Sequence, residues 1–112
     1  MSLKVFGIAR LTRDPEVKGS DANVVKFGVA TNNYKGDPQY FDVTGFTMGK
    51  YNLPEIISKH FRRGDPIFLK DAELEYQTWE DNDGNKKHHV GIVLKSFEFA
   101  GGKKHDEEQQ PF

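Results

Sequence analysis

The order of patterned segments predicts an all-β protein, a five-stranded, partly open Greek-key barrel with one helix between its third and fourth strands. Three observations carry that expectation. Runs of alternating apolar and polar residues recur along the chain, which is the period of a half-buried strand. One stretch alone has the longer period of an amphipathic helix. Short clusters of Gly, Pro, Asn and Asp separate the runs.

Lys4–Leu11 (KVFGIARL) and residues 24–31 (VVKFGVAT) read as the first two strands, and in the second Val25, Phe27 and Val29 alternate with Lys26, Gly28 and Ala30. Asp14, Pro15 and Glu16, then Lys18, Gly19, Ser20 and Asp21, are turn chemistry between them. A further turn, Tyr34 to Pro38, leads into the third strand, residues 40–46 (YFDVTGF). In residues 50–63, Leu53, Ile56, Ile57, His60 and Phe61 form one apolar stripe, with Pro54 and Glu55 suited to the first turn and Arg62, Arg63 and Gly64 to the end. The fourth strand, 67–79, changes parity. Ile67 and Leu69 are odd-numbered apolar positions, whereas Ala72, Leu74 and Tyr76 are even. One extra residue near Lys70 and Asp71 would keep a single face buried, so a bulge is expected there. Asp81 to Asn85 is a hairpin turn, and residues 87–99 return as the fifth strand. Three strands, a helix and a long hairpin are the order of an OB-fold.

A chain of 112 residues supports one domain with one core. It contains no cysteine, which excludes disulfides, thiol nucleophiles and thiolate metal sites. No apolar run is long enough to span a membrane and no secretory pattern opens the chain, so a soluble cytoplasmic protein is expected. The net charge is −1, but without Asp106, Glu107 and Glu108 there are 16 basic against 14 acidic side chains, a body of +2. A mildly basic body with an acidic tail does not announce nucleic acid by electrostatics alone.

The aromatic residues say more. Phe41 and Val43 share one face of the third strand, while Tyr40, Asp42, Thr44 and Phe46 share the other. Trp79 falls on the face of the fourth strand that carries Glu73, Glu75 and Gln77. Rings turned away from the core suit unpaired bases, because stacking tolerates any sequence. The competing reading is that they fill a subunit interface or cap the barrel.

Catalytic and metal chemistry find little support. His88 and His89 are neighbours on a strand and point to opposite faces, which disfavours joint chelation. His60 reads as a packed residue of the helix stripe. Asp81 and Asp83 belong to a run too short for a calcium loop, and no P-loop, GxSxG or HExxH pattern occurs. No cofactor, catalytic residue or metal ligand is therefore expected.

Residues 103–112 form a separate segment beyond a domain of residues 1–102. Lys103 and Lys104 lead to Asp106, Glu107 and Glu108, then Gln109, Gln110, Pro111 and Phe112. This composition cannot bury a core and is expected to be disordered. One reading is a solvated charged tail. The other is a docking peptide whose acids steer toward a basic surface while Phe112 anchors in an apolar pocket.

Taken in order, several segments resemble the bacterial-type single-stranded DNA-binding protein family across nearly the whole chain. They are Lys4-Val5-Phe6 through Arg10-Leu11, Asp14-Pro15-Glu16-Val17, Val25-Lys26-Phe27 through Ala30 and Tyr40-Phe41-Asp42-Val43 through Phe46. Phe61-Arg62-Arg63-Gly64-Asp65, Trp79-Glu80-Asp81 with Asp83-Gly84, Phe99-Ala100-Gly101-Gly102 and the acidic Pro-Phe ending complete the pattern. The resemblance implies base stacking on Tyr40, Phe46 and Trp79, with Tyr34 at a fourth such position. It places Lys4, Lys18, Lys50, Arg62 and Arg63 near positions of phosphate-contacting cations, although ordinary solvation explains each of them singly. It further implies a homotetramer, or a dimer, with the first strand and Phe41 near a subunit interface. Single-stranded DNA is the implied ligand in replication, recombination and repair, in the cytoplasm with the nucleoid. Asp106, Glu107, Glu108, Pro111 and Phe112 would recruit replication and repair enzymes.

The chain departs from that pattern in four places. Glu73 and Glu75 stand where relatives often carry arginine, Ala72 replaces a glycine at the kink, and Gln110 replaces an aliphatic residue. The long linker before the tail is reduced to a few residues, which suggests a compact variant such as a phage or mobile element carries. The expected protein is a non-catalytic, sequence-tolerant binder of single-stranded DNA. Its rivals are an OB-fold phosphodiesterase, separable by a metal-dependent cleavage assay, and an OB-fold protein-interaction adaptor.

Overall fold

The computed structural model describes residues 2–100. The strands are β1 (Lys4–Leu11), β2 (Glu16–Lys18), β3 (Val24–Asn32), β4 (Pro38–Phe46), β5 (Pro66–Glu80) and β6 (Lys86–Phe99), with helix α1 (Leu53–His60) between β4 and β5. They form one sheet in the order β1-β5-β6-β4-β3-β2, which curls until β1 also meets β3 at Arg10↔Ala30 and Leu11↔Val29. Neighbours run antiparallel except β4 and β6, whose parallel ladder runs from Asp42↔Gly91 to Gly45↔Leu94. This is the expected OB barrel with one strand added.

The added strand is β2, in a stretch expected to be turn. Its three residues pair with β3 as Glu16↔Lys26, Val17↔Val25 and Lys18↔Val24. Every residue of it is exposed, so no alternation marks it in the sequence.

The helix is shorter than the expected 50–63. Pro54 has no N–H to place in a helix interior, and Asn52 caps the N-terminus by accepting a 3.2 Å bond from the Glu55 amide. Lys50 lies before that cap, in the turn closed by the Met48↔Tyr51 bridge. Phe61 is already extended. Leu53, Ile57 and Phe61 are fully buried against the barrel, whereas Ile56 is half-buried. His60 is exposed, in contrast to the expected packed residue, although its ring stands edge-on to Phe99 at 5.7 Å.

The expected bulge is present. The β5–β6 register shifts on both sides of Asp71, between Leu69↔Phe97 and Ala72↔Leu94. Ile67, Leu69 and Ala72 therefore all reach the core, with Val25, Phe27, Val29, Val43 and Leu94. Beyond Leu74 the β5–β6 hairpin leaves the barrel as an arm. Tyr76, expected on the buried face, is 63% exposed there and stacks on His88 at 5.8 Å. At the tip, Asp81 Oδ1 accepts from the Asp83 and Asn85 amides at 2.9 Å each, with Gly84 at positive φ. No helix among the described residues is long and apolar enough to cross a membrane.

Candidate nucleic-acid interface

Strand pairing dictates which side chains share the outer face, because directly paired residues point the same way. One row across the sheet is Gly28–Asp42–Gly91–Glu75. On one side of it lies Glu16–Lys26–Thr44–Val93–Glu73–Lys4, and beyond that Lys18–Val24–Phe46. On the other side lie Ala30–Tyr40 and Gln77–His89, followed on the arm by Trp79–Lys87. Tyr40, Phe46 and Trp79 thus share one continuous surface and are 69%, 44% and 50% exposed. Tyr40 and Phe46 are six positions apart on one strand, roughly 20 Å at a strand's rise. That spacing suits several unpaired bases. Tyr34 lies apart, in the β3–β4 turn, almost fully exposed with Lys35 Nζ 5.8 Å from its ring centre.

The five cations named from the sequence have different fates. Lys18 sits in the row of Phe46, 3.6 Å from Glu16, and Lys50 is exposed in the turn that follows that ring. Lys4 lies at the β1 margin and donates to Asp71 and Glu73, both at 3.2 Å. Those two carboxylates raise the Lys4 pKa above its usual 10.5, and the bond from Lys4, helped by the charge of Lys95, holds the Glu73 carboxyl below its usual 4.5. Arg62 caps the helix. Its Nη1 donates to the Ser58 and Phe61 carbonyls at 2.6 and 2.8 Å, closing the C-terminus of α1. Arg63 follows it there, with its amide bonded to Asp14 Oδ1 at 2.8 Å. Neither arginine joins the row system that carries the rings.

Residues outside the stacking and phosphate positions named from the sequence line a depression of about 170 Å³ at the centre of the face: Arg13, Lys26, His89, Asp42, Glu75 and Gln77. Arg13 arrives from the loop after β1 by crossing above Gly28, where a Cβ would come within 2.7 Å of its Nη1. It reaches Asp42 at 3.6 Å, and His89 Nε2 meets the other oxygen of that carboxylate at 3.2 Å. Lys26 Nζ donates to Thr44 Oγ1 at 3.2 Å, and Gln77 Nε2 donates to Glu75 Oε1 at 3.1 Å. Parity alone could have placed Lys26 and His89 on this face, since each alternates with core residues. Nothing local marks Arg13. His88 points to the opposite side of the arm, so the two adjacent histidines are separated as expected. Among the described residues no group of three His, Cys, Asp or Glu is arranged to hold a metal.

A barrel with a ring-bearing polar face is shared by many OB-folds, and comparison with known proteins decides among them. The model of the single-strand binding protein family matches residues 3–100. The chain belongs to that family. It is 30% identical over 100 residues to the single-stranded DNA-binding protein of Clostridium perfringens, covering 86% of this chain and 64% of that one. It is 28% identical over 111 residues to single-stranded DNA-binding protein 1 of Staphylococcus aureus, covering 92% and 68%. The chain thus spans about two thirds of the length of such relatives. Among solved structures, the mitochondrial single-stranded DNA-binding protein Rim1 of S. cerevisiae superposes with a TM-score of 0.70 at 19% identity, covering 88% of this chain and 95% of that one. A Plasmodium falciparum SSB in complex with single-stranded DNA gives the same TM-score and identity, covering 90% and 96%. These likenesses establish the fold, and membership of a binding-protein family agrees with the expectation of a protein that is not an enzyme. Asp106, Glu107, Glu108, Pro111 and Phe112 lie outside the described residues.

Proposed function

We propose that this protein binds single-stranded DNA with little regard to sequence, stacking bases on Tyr40, Phe46 and Trp79 and neutralising phosphates with cations beside them. The carrying observation is the exposure of three rings on one sheet face, which no packing requirement explains, in a chain of the single-strand binding protein family. The cations that fit this role by position are Lys18, Lys26, Lys50, Lys87 and Arg13. Trp79 is the sole tryptophan, so titration with an unlabelled oligonucleotide should quench the intrinsic fluorescence. An unquenched Trp79 at saturating oligonucleotide would sink the groove reading and favour a protein-docking face.

The same reading places the protein in the cytoplasm with the nucleoid, protecting single strands during replication, recombination and repair as a homotetramer or dimer. The β1 surface supports assembly. Phe6 and Ile8 are 77% and 65% exposed there, and β3 pairs only with its last two residues, leaving an apolar edge of a kind that proteins usually cover. The acidic segment would recruit replication and repair enzymes through Phe112 and its carboxylates, an inference from sequence alone. Deleting residues 106–112 should abolish capture of such an enzyme and leave DNA affinity equal or higher, because three tethered acids compete with phosphates for the same cations. Weaker DNA binding after the deletion would show that the segment supports the barrel instead.

A further inference from the structure

The depression between the rings carries information about which base it accepts. Its walls hold two ions of opposite sign that form no ion pair among the described residues: Lys26 on β3 and Glu75 on β5. The other two charges are engaged, Asp42 between Arg13 and His89. Between Lys26 and Glu75 run β4 and β6, and the floor there is low because Gly91 has no side chain. The volume of about 170 Å³ is the room of about six waters or one pyrimidine ring with its substituents. The cation end suits a phosphate. The carboxylate end has one neutral neighbour, Gln77, and oxygens left to accept hydrogen bonds.

We propose that this depression seats one base of the bound strand, with the adjoining phosphate outside it toward Lys26, and selects bases that present an amino group to Glu75. The inference rests on the groove reading above. A carboxylate accepts from the 4-amino group of cytosine but meets only a carbonyl oxygen at the corresponding atom of uracil or thymine. The lone pairs of that oxygen face the anion without a proton between them. Glu75 is exposed, so water competes, and the preference belongs at the low end for a base contact, about five-fold.

Cytosine and uracil differ at that edge and hardly at all in size or stacking, which makes oligo(dC) and oligo(dU) of equal length the appropriate probes. In mildly alkaline buffer the full-length protein should bind oligo(dC) about five-fold more tightly, with Trp79 quenched by both. Glu75→Ala should tighten both, because it removes a charge that repels phosphate, while bringing the ratio to about one. Glu75→Gln removes the same charge but keeps a carbonyl acceptor, so it should retain part of the preference. Equal affinities in the wild type with Trp79 fully quenched would overturn the base-selective seat and leave the groove intact. So would a preference that survives Glu75→Ala. A Trp79 that neither oligonucleotide quenches would overturn both readings together.

Discussion

Trp79→Ala is the most direct perturbation of the proposed binding face. The ring lies on the arm opposite Lys87, outside the barrel core, and is 50% exposed. A tryptophan offers about 150–250 Å² in total, so roughly 100 Å² remains for a ligand to cover. A base laid on one side of the indole removes about 50–100 Å² from water, which at ~25 cal/mol/Å² corresponds to about 1–2.5 kcal/mol. That agrees with the usual strength of base–aromatic stacking and predicts a Kd raised about 5- to 70-fold. Tyr40→Ala should fall in the same range, since its smaller ring is more exposed. Tyr34→Ala should change affinity less than either, because the ring lies in the β3–β4 turn, apart from the rows that carry Tyr40, Phe46 and Trp79. The substitution removes the intrinsic reporter, so anisotropy of a labelled oligonucleotide is the assay, with thermal melting as the check on folding. Wild-type affinity in both Trp79→Ala and Tyr40→Ala, each melting as the wild type does, would show that DNA does not run over β4, β5 and β6.

Gly45→Ala should destabilise the barrel by about 1–3 kcal/mol, because the added Cβ would collide with Leu53 Cδ2 and approach Val25 Cγ1 to 3.2 Å; an unchanged urea midpoint would contradict that packing. Lys4→Met tests the margin of the face through pH. Glu73 is held below its usual 4.5, so its link to Lys4 stabilises above that pH and is lost as pH falls through the depressed value; Lys4 is raised above 10.5, so the link persists below that pH and is lost as it rises further. The melting-temperature gap between wild type and Lys4→Met should accordingly be flat between these limits and close in acid; a gap undiminished at about pH 2 would refute the bridge. Reversal of the two acids should give unlike results: Glu75→Arg tightens DNA binding and steepens its salt dependence, whereas Glu73→Arg sets a third cation beside Lys4 and Lys95 and lowers stability. Equal effects, read by salt titration and melting, would show that the two positions share one environment.

Strand parity made most of the barrel legible. The switch from Ile67 and Leu69 to Ala72 and Leu74 has few explanations other than an inserted residue, and the register shift around Asp71 is that residue. Parity states which side a residue faces but not whether anything covers that side. Tyr76 keeps the parity of Ala72 and Leu74, yet the barrel ends beneath it and the ring is left on the arm. The helix ends show a related limit. A basic residue at a C-terminus reads equally well as a phosphate ligand or as a cap, and Arg62 Nη1 does cap the Ser58 and Phe61 carbonyls.

The binding face shows why charge has to be judged in place. Glu73 and Glu75 are two positions apart on one strand and face the same way, so the sequence offers no ground for treating them differently. Lys4 pairs directly with Glu73 across β1 and β5, and Lys95 lies two residues beyond Val93, the β6 partner of Glu73, so the two lysines approach it at 3.2 and 4.0 Å. No lysine or arginine reaches Glu75 among the described residues, because its row continues into Gly91 and the engaged Asp42. Residues 1–102 hold 14 basic and 14 acidic side chains, and this balanced barrel presents a neutralised margin, an anion at its centre that no described lysine or arginine reaches, and cations near Phe46. Arg13 reaches the same centre only because Gly28, distant in sequence, leaves the space above the sheet open. On the proposed reading, phosphates follow the Lys26 and Lys18 side of the face, while base edges turn toward Glu75. The side of the face open to a phosphate backbone follows from that division, more than from the net charge.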